Sequence, residues 1–405
     1  MKTSLYMKTI FGKIAIVSLF LISLNACKKD TLTEQFASVQ VLMTYPNING
    51  QYSIKNMTAK LTETNSGTEN TVALTDLNGT ILSAELPYGT YIVSLEGDVA
   101  ITENGQSKNY KLKGYQANII INSAMVSAPV SLFLSDPSAK FVFKEIFFTG
   151  TVTPENKSYN GDKYFILYNN STDTLYADGL ILAQSKFLTT TKYDYKPDVM
   201  NEAFTTDDII MLPGSGKDYP VAPGKQLVIA NNAINHKEIN SNSVDLSQAD
   251  FEIELIGSIN IDNPAVPNTI SLSGSMLMHN RGFTSYVLVQ LPEGKQPQQW
   301  LDDNQYTYSY LAANGREMKV DAYKIDNSYI MDAVNLSVEQ GFAWIVTAPN
   351  LDMGWTYCGR NSSDATRYGK SVSRKTLSST NGGILFLQDT NNSAEDFNPE
   401  SVLSL

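Results

Sequence analysis

The chain has 405 residues, 42% hydrophobic and 18% charged, with 30 Lys and Arg against 41 Asp and Glu. A formal charge of −11, with no basic stripe interleaved with aromatics, argues against a nucleic-acid partner, because such a surface repels phosphate backbones. Only two cysteines are present, so the fold must be held by buried apolar area rather than by a disulfide framework.

Residues 1–26 read as a targeting segment. Lys2, Lys8 and Lys13 precede the apolar run Ile14 to Leu24, and a small residue, Ala26, stands before Cys27. The run is too short to span a bilayer and has the layout of a secretory signal, complete whether it starts at Met1 or Met7. A Cys directly after a small residue resembles a bacterial lipobox, although Asn25 departs from its usual pattern; ordinary secretion with a spectator Cys27 is the alternative. The resemblance implies acylation of the Cys27 thiol and a durable membrane anchor, since each buried methylene contributes about 0.8 kcal/mol. Residues 27–35 then form a polar tether. Lys28 and Lys29 after the Cys resemble envelope lipoproteins that are not kept at an inner membrane. The expected location is the outer membrane, lipid-anchored and exposed at the cell surface. Loss of the three signal lysines leaves 27 basic against 41 acidic residues, a formal −14.

Past the tether, helical periodicity nearly vanishes. Short β-branched and aromatic runs ("SVQVLMTY", "TYIVSLEG", "NIIINS", "KQLVIANN", "SYVLVQLPEG") alternate with Asn, Gly, Ser, Asp and Pro clusters. The expected fold is all-β, two tandem β-sandwich modules, with the boundary at "LSDPSAK", residues 134–140. In the first block, 36–136, Asp76, Asn78 and Gly79 suit a tight turn, with calcium binding as the alternative, and "LPYG" a second turn. Tyr91, Val93 and Leu95 should then share one face. The stretch "TDLNGTILSAELPYGTYIVSLEG", preceded by "SIKNMTAKLTET", resembles the carboxypeptidase regulatory-like, prealbumin-type β-sandwich, which implies a spacer or adhesive unit without catalysis.

The second block, 141–405, carries in order "FVFKEIFFTG", "KYFILYNNSTDTLYADGLILAQS", "PVAPGKQLVIANNAINH", "NSYIMDAVNLS", "YGKSVSRK" and "DTNNSAEDFNPES". Their order resembles the lamin-tail domain, an immunoglobulin-like sandwich, with Ile166 and Gly179-Leu180 departing from its motifs and with insertions at 186–220 and 257–318. On this reading "NNSTD", residues 169–173, is a hairpin turn whose side chains satisfy local backbone groups. The layout as a whole resembles a family of uncharacterised Bacteroidota surface lipoproteins, a domain of unknown function, whose members accompany TonB-dependent outer-membrane receptors. That implies a non-catalytic accessory that binds an outer-membrane receptor protein or a glycan.

Catalytic signatures are missing. His236 and His279 are the two histidines, and neither lies in a metalloprotease or hydrolase motif; "LPGSGKDYP" lacks the phosphate-loop spacing. No cofactor or metal is expected. The calcium candidate of the second block is Asp389, Asn391, Ser393, Glu395 and Glu400, where Ala394 occupies the place that needs Gly. Cys358 reads as a small buried hydrophobe. Aromatics in apparent loops are more suggestive: Trp300, Tyr306, Tyr308, Trp355 and Tyr357 are the candidate ligand-binding residues, the alternative being that they cap the sandwich as satellite cores. The alternative function is a surface hydrolase of polymers with its site in the 257–318 insertion.

Overall fold

The structure, a computed structural model, describes residues 35–46, 48, 51–74, 80–103, 106–135, 141–171, 173–254, 261–292, 294–376 and 385–405. Cys27, the signal and most of the tether, the Asp76–Gly79 turn and most of the 134–140 boundary lie outside them. The described chain is almost entirely β, as its composition and turn chemistry lead one to expect.

In the N-terminal part, seven strands form one hydrogen-bonded path in the spatial order Glu69–Ala73, Gln51–Glu63, Gly89–Glu103, Gln106–Ile121, Met125–Ser135, Phe36–Thr44, Thr80–Pro87. All neighbours run antiparallel except Phe36–Thr44, which lies parallel to Met125–Ser135. Strict alternation puts Val39, Val41, Ala59, Leu61, Tyr91, Val93, Leu95, Leu112 and Val130 into one core, so both halves of the path close on the same apolar layer. The Tyr91 hydroxyl donates to the Pro87 carbonyl at 3.0 Å and ties the "LPYG" turn to the strand it starts.

The C-terminal part stacks two sheets. A six-stranded sheet has the order Phe251–Glu252, Gln226–Ala230, Tyr164–Asn169, Phe141–Phe147, Lys370–Arg374, Phe397–Val402. An eight-stranded sheet has the order Gln305–Leu311, Glu317–Asp326, Ala203–Met211, Ile181–Ser185, Ser285–Val289, Ile330–Ser337, Thr356–Tyr357, with Ile270–Ser273 also paired to Ala203–Met211. Their inner faces meet through Phe143, Phe165, Leu167 and Ile229 on one side and Leu182, Ile210, Tyr286, Leu288 and Val334 on the other. The outer faces are covered too. Tyr164 and Ile166 pack under Ala233, Val244 and Leu246, and Ile181, Ala183, Val287 and Val289 pack under the helix Pro297–Asp303. Central strands are therefore buried on both faces, which is why "YFILY" is continuously apolar instead of alternating.

Two expectations are corrected by this topology. The strand Tyr164–Asn169 pairs with Phe141–Phe147 and Gln226–Ala230, whereas Ile181–Ser185 belongs to the other sheet. The Asn169–Asp173 turn leads into Leu175–Tyr176, which pairs with Pro220–Val221 and not with Tyr164–Asn169, so it leaves the sheet and is not a hairpin. Its side chains do satisfy the backbone: Asn169 Nδ2 donates to the Asp173 and Val221 carbonyls at 2.8 Å, and its Oδ1 accepts from the Ser171 N–H at 3.0 Å. Segments 186–220 and 257–318, expected as insertions, supply Ala203–Met211 and Ser285–Val289, two interior strands of the eight-stranded sheet.

Candidate functional site

The aromatic candidates separate once folded. Trp300, 3% exposed, is carried by the helix Pro297–Asp303, not by a loop, and points into the core beneath it. Tyr306 and Tyr308 lie on the strand Gln305–Leu311, Tyr308 being 4% exposed. They join Phe187, Tyr195, Tyr310 and Trp344 in one aromatic cluster, in which Phe187 stacks on Tyr195 at 3.9 Å and Tyr306 shares a 2.6 Å hydrogen bond with Thr205. Val320 and Ala322 join these rings while Tyr323 and Ile325 of the same strand face Trp300, so the cluster covers the side of the eight-stranded sheet opposite the helix Pro297–Asp303. The exposed-anchor role assigned to Trp300 and Tyr308 is therefore withdrawn on burial.

Trp355 and Tyr357 stay half-buried and lead to the most developed site. Trp355 stacks on Phe342 with centroids 4.6 Å apart and planes 6° from parallel, and it tilts against Tyr357 at 5.5 Å. Trp355 and Phe342, with Trp344, line a groove of about 760 Å³ whose opposite wall belongs to the N-terminal sheet; Tyr357 lies outside its lining. That wall is made of Glu63, Asn65, Ile92, Tyr115 and Asn118; Lys192, Asn201, Glu339 and Gln340 complete the other side. Burial, with the charge of Asp352, pushes the Tyr115 phenol up and keeps it protonated.

Local chemistry makes this platform rigid. The loop after Ile330–Ser337 is pinned by the Ala343 N–H to the Thr189 carbonyl at 2.8 Å, and Trp344 Nε1 donates to the Leu188 and Thr191 carbonyls at 2.9 and 3.0 Å. The Lys192 ammonium lies 5.4 Å from the Trp344 ring. The segment bearing Trp355 is held by buried Asp352, which accepts from Gly354 N–H, from Ser393 N–H and hydroxyl, and from Asn335 N–H and amide, all at 2.5–3.0 Å. Tyr115 and Asn118 lie on one strand, Glu63 and Asn65 at the end of another, and Gly67, at φ 68°, allows the turn that follows.

The same seam continues as a smaller polar cavity of about 370 Å³. There Lys60 Nζ pairs with Glu395 at 2.5 Å and with Glu69 at 3.2 Å, joining the two parts of the chain. Lys113 is wholly buried nearby, and its ammonium has no hydrogen-bond partner among the described residues. Burial lowers its pKa, against the charges of Glu96, Asp396 and Asp389. Behind the seam, Arg374, its side chain 1% exposed, donates from Nη2 to both Asp332 carboxylate oxygens at 2.6–2.7 Å and reaches Asp389 at 3.2 Å and Asp396 at 3.7 Å through Nη1.

The calcium candidates therefore have other partners. Asp389 accepts from Arg374, Asn391 donates to the Asn350 carbonyl at 2.6 Å, and Ser393 serves Asp352. Glu395 pairs with Lys60, and Glu400 accepts from the Gly359 N–H at 2.9 Å. Among the described residues no group of three or more His, Cys, Asp or Glu is placed to hold a metal ion. The glycine loop 214–219 wraps a carboxylate of the chain itself: Gly216, Asp218 and Tyr219 N–H groups donate to Asp178 at 2.8–3.0 Å.

The histidines are neutral and engaged. The Tyr159 hydroxyl donates to His236 Nδ1 at 2.7 Å while Nε2–H donates to the Asn232 carbonyl at 2.9 Å, and burial lowers the pKa of the ring. His279 stacks on Phe283 at 4.7 Å, and its Nδ1 accepts from the Arg281 N–H at 3.2 Å. Trp300, Tyr306 and His279 thus sit in three different surroundings. Cys358 is buried, with its thiol pushed up to about 12 by burial. Phe342 and Trp344 are absent from the sequence-derived candidates; their signal was the Gly- and Pro-flanked "GFAWIVTAP" directly after a strand.

Residues 222–404 match a family described as a protein of unknown function (DUF4876). The crystal structure of a DUF4876 family protein from Bacteroides thetaiotaomicron VPI-5482 is similar to this chain, with a TM-score of 0.58 and 25% sequence identity over 91% of this chain and 96% of that one. No curated protein matches. The chain is thus similar, through both of its parts, to a Bacteroides protein whose function is not known.

Proposed function

We propose that this chain is a non-catalytic cell-envelope lipoprotein, anchored through Cys27 in the outer membrane and exposed at the surface, where it binds a ligand as an accessory of a TonB-dependent uptake system. In this reading the N-terminal part is the prealbumin-like module and the C-terminal part the lamin-tail-like module. The observation that supports it is the aromatic groove at the seam, which two β-modules build jointly from rigid rings and polar side chains. Such a concave, mixed site is the usual form of a binding site. A polymer hydrolase working from residues 257–318 is the weaker reading, because Trp300 packs in a core and His279 against Phe283.

The test is fractionation of cells making the full chain or Cys27→Ser, with labelled fatty acid and external protease. Label incorporation, outer-membrane recovery and protease sensitivity are expected for the natural chain, and release from membranes for the variant. Equal membrane recovery of both would remove the lipid anchor from the proposal.

A further inference from the structure

We infer that the seam groove holds a short, uncharged oligosaccharide gripped by both modules at once; this rests on the binding reading above and names its ligand class. The groove, at about 760 Å³, falls within the size range of sites for small organic ligands. One wall presents the stacked rings of Phe342 and Trp355 beside Trp344, whose backbone and indole N–H groups are fixed by the Thr189, Leu188 and Thr191 carbonyls and whose ring lies between Tyr195 and Lys192. Flat rings held in place match the C–H faces of pyranoses, and little conformational entropy remains to be lost on binding.

The facing wall supplies what a sugar's edge requires. Hydroxyl groups both donate and accept, and Asn118 offers an amide. Glu63 already accepts from the Asn65 and Ser66 N–H groups and from the Asn65 amide at 2.5–3.0 Å, and so presents its remaining acceptor positions and the Asn65 amide oxygen. Charge then narrows the class. Glu63 and Glu339 stand against one groove cation, Lys192, which lies over the Trp344 ring. The whole chain is also acidic, at −11. Uronic or sulfated chains would be repelled.

The competing occupant is an extended peptide. Gln106–Ile121 pairs with Gly89–Glu103 along its length but with Met125–Ser135 only over Lys111–Gly114, which leaves Tyr115–Ile121 as a sheet edge at the groove. Saturable binding of a peptide there in place of a sugar would overturn the inference. The Phe342–Trp355 pair is stacked, so each ring uses one face on the other and only the outer ring face is open to a sugar.

The experiment uses the full-length protein in detergent. Arrayed gluco-, manno- and xylo-oligosaccharides are screened beside uronic and sulfated ones, and the best neutral binder is then titrated calorimetrically. Saturable binding of a neutral oligosaccharide is expected. Phe342→Ala and Trp355→Ala should each weaken it roughly tenfold or more, as for central aromatic anchors. Asn118→Ala, on the other module, should weaken it several-fold. Trp355→Phe keeps a ring and should retain most of the affinity, which separates ring loss from misfolding. No saturable neutral binder, a preference for acidic chains, or affinity unchanged in Phe342→Ala and Trp355→Ala would each overturn the inference. If neutral sugars fail while the natural chain still co-purifies with an outer-membrane receptor, the ligand class falls and the accessory reading stands.

Discussion

The two halves of this molecule solve the same problem of sheet burial in different ways. In the N-terminal half strands hide one face at most: Phe36–Thr44 alternates between buried and more exposed positions over a single apolar layer, and the edge strand Glu69–Ala73 has no buried residue. In the C-terminal half the central strands hide both faces. Tyr164–Asn169 is buried at every position, with Phe165 and Leu167 turned into the sandwich and Tyr164 and Ile166 turned outward under a second layer. The lesson concerns the aromatics. Where a sheet has an outer apolar face to cover, rings in connecting segments become that cover, and only those beyond the covered area remain free to recognise a ligand. Trp300 falls on the first side of this division and Trp355 on the second.

The strongest way to break the comparison is to remove one ring from each class. Trp300→Ala should destabilise the chain by about 3–5 kcal/mol, as deletion of a buried large side chain does. Trp355→Ala should change the melting temperature little. Thermal and denaturant melts of the two variants decide it, and a Trp355 variant as unstable as the Trp300 variant would mean that the groove is core.

A second, smaller effect is expected at the seam. Lys113 projects from the N-terminal sheet, alternating with core-facing Leu112, and is buried without a hydrogen-bond partner among the described residues. Its charged form is disfavoured by burial. Lys113→Met should stabilise the protein by about 1–3 kcal/mol, because the desolvation cost disappears while the volume is kept. A lower denaturation midpoint in this variant would show that attraction to Asp389 and Asp396 outweighs desolvation.

The smallest effect is one of pH. Burial, reinforced by the positive charges of Arg281, Lys163 and Arg367, holds His279 down to about 4. A histidine depressed in the folded state contributes stability that is complete above its unfolded pKa near 6.5 and is lost as pH falls through about 4. The natural chain should therefore lose on the order of 1 kcal/mol between these limits that His279→Phe does not lose, while the phenyl ring keeps the stack on Phe283. Parallel melts of both proteins from pH 7 to 4 test the sign, and identical profiles would remove His279 from the account.

The sequence by itself determined the local physics. Alternation over Tyr91, Val93 and Leu95 specified a one-sided strand, β-branched runs broken by Gly, Asn and Pro specified an all-β chain, and Asn169 with Ser171 specified a turn that satisfies its own backbone. These follow from contacts within a few residues, so they could be read without a structure. Only the tertiary structure decided that the Asn169–Asp173 turn leaves the sheet, and that Ala203–Met211 and Ser285–Val289 are interior strands. It alone placed Trp344 and Phe342 opposite Glu63 and Asn118. Strand pairing and exposure are set by partners far apart in the chain, and an aromatic residue looks the same in sequence whether its ring is covered by another sheet or left open to a ligand.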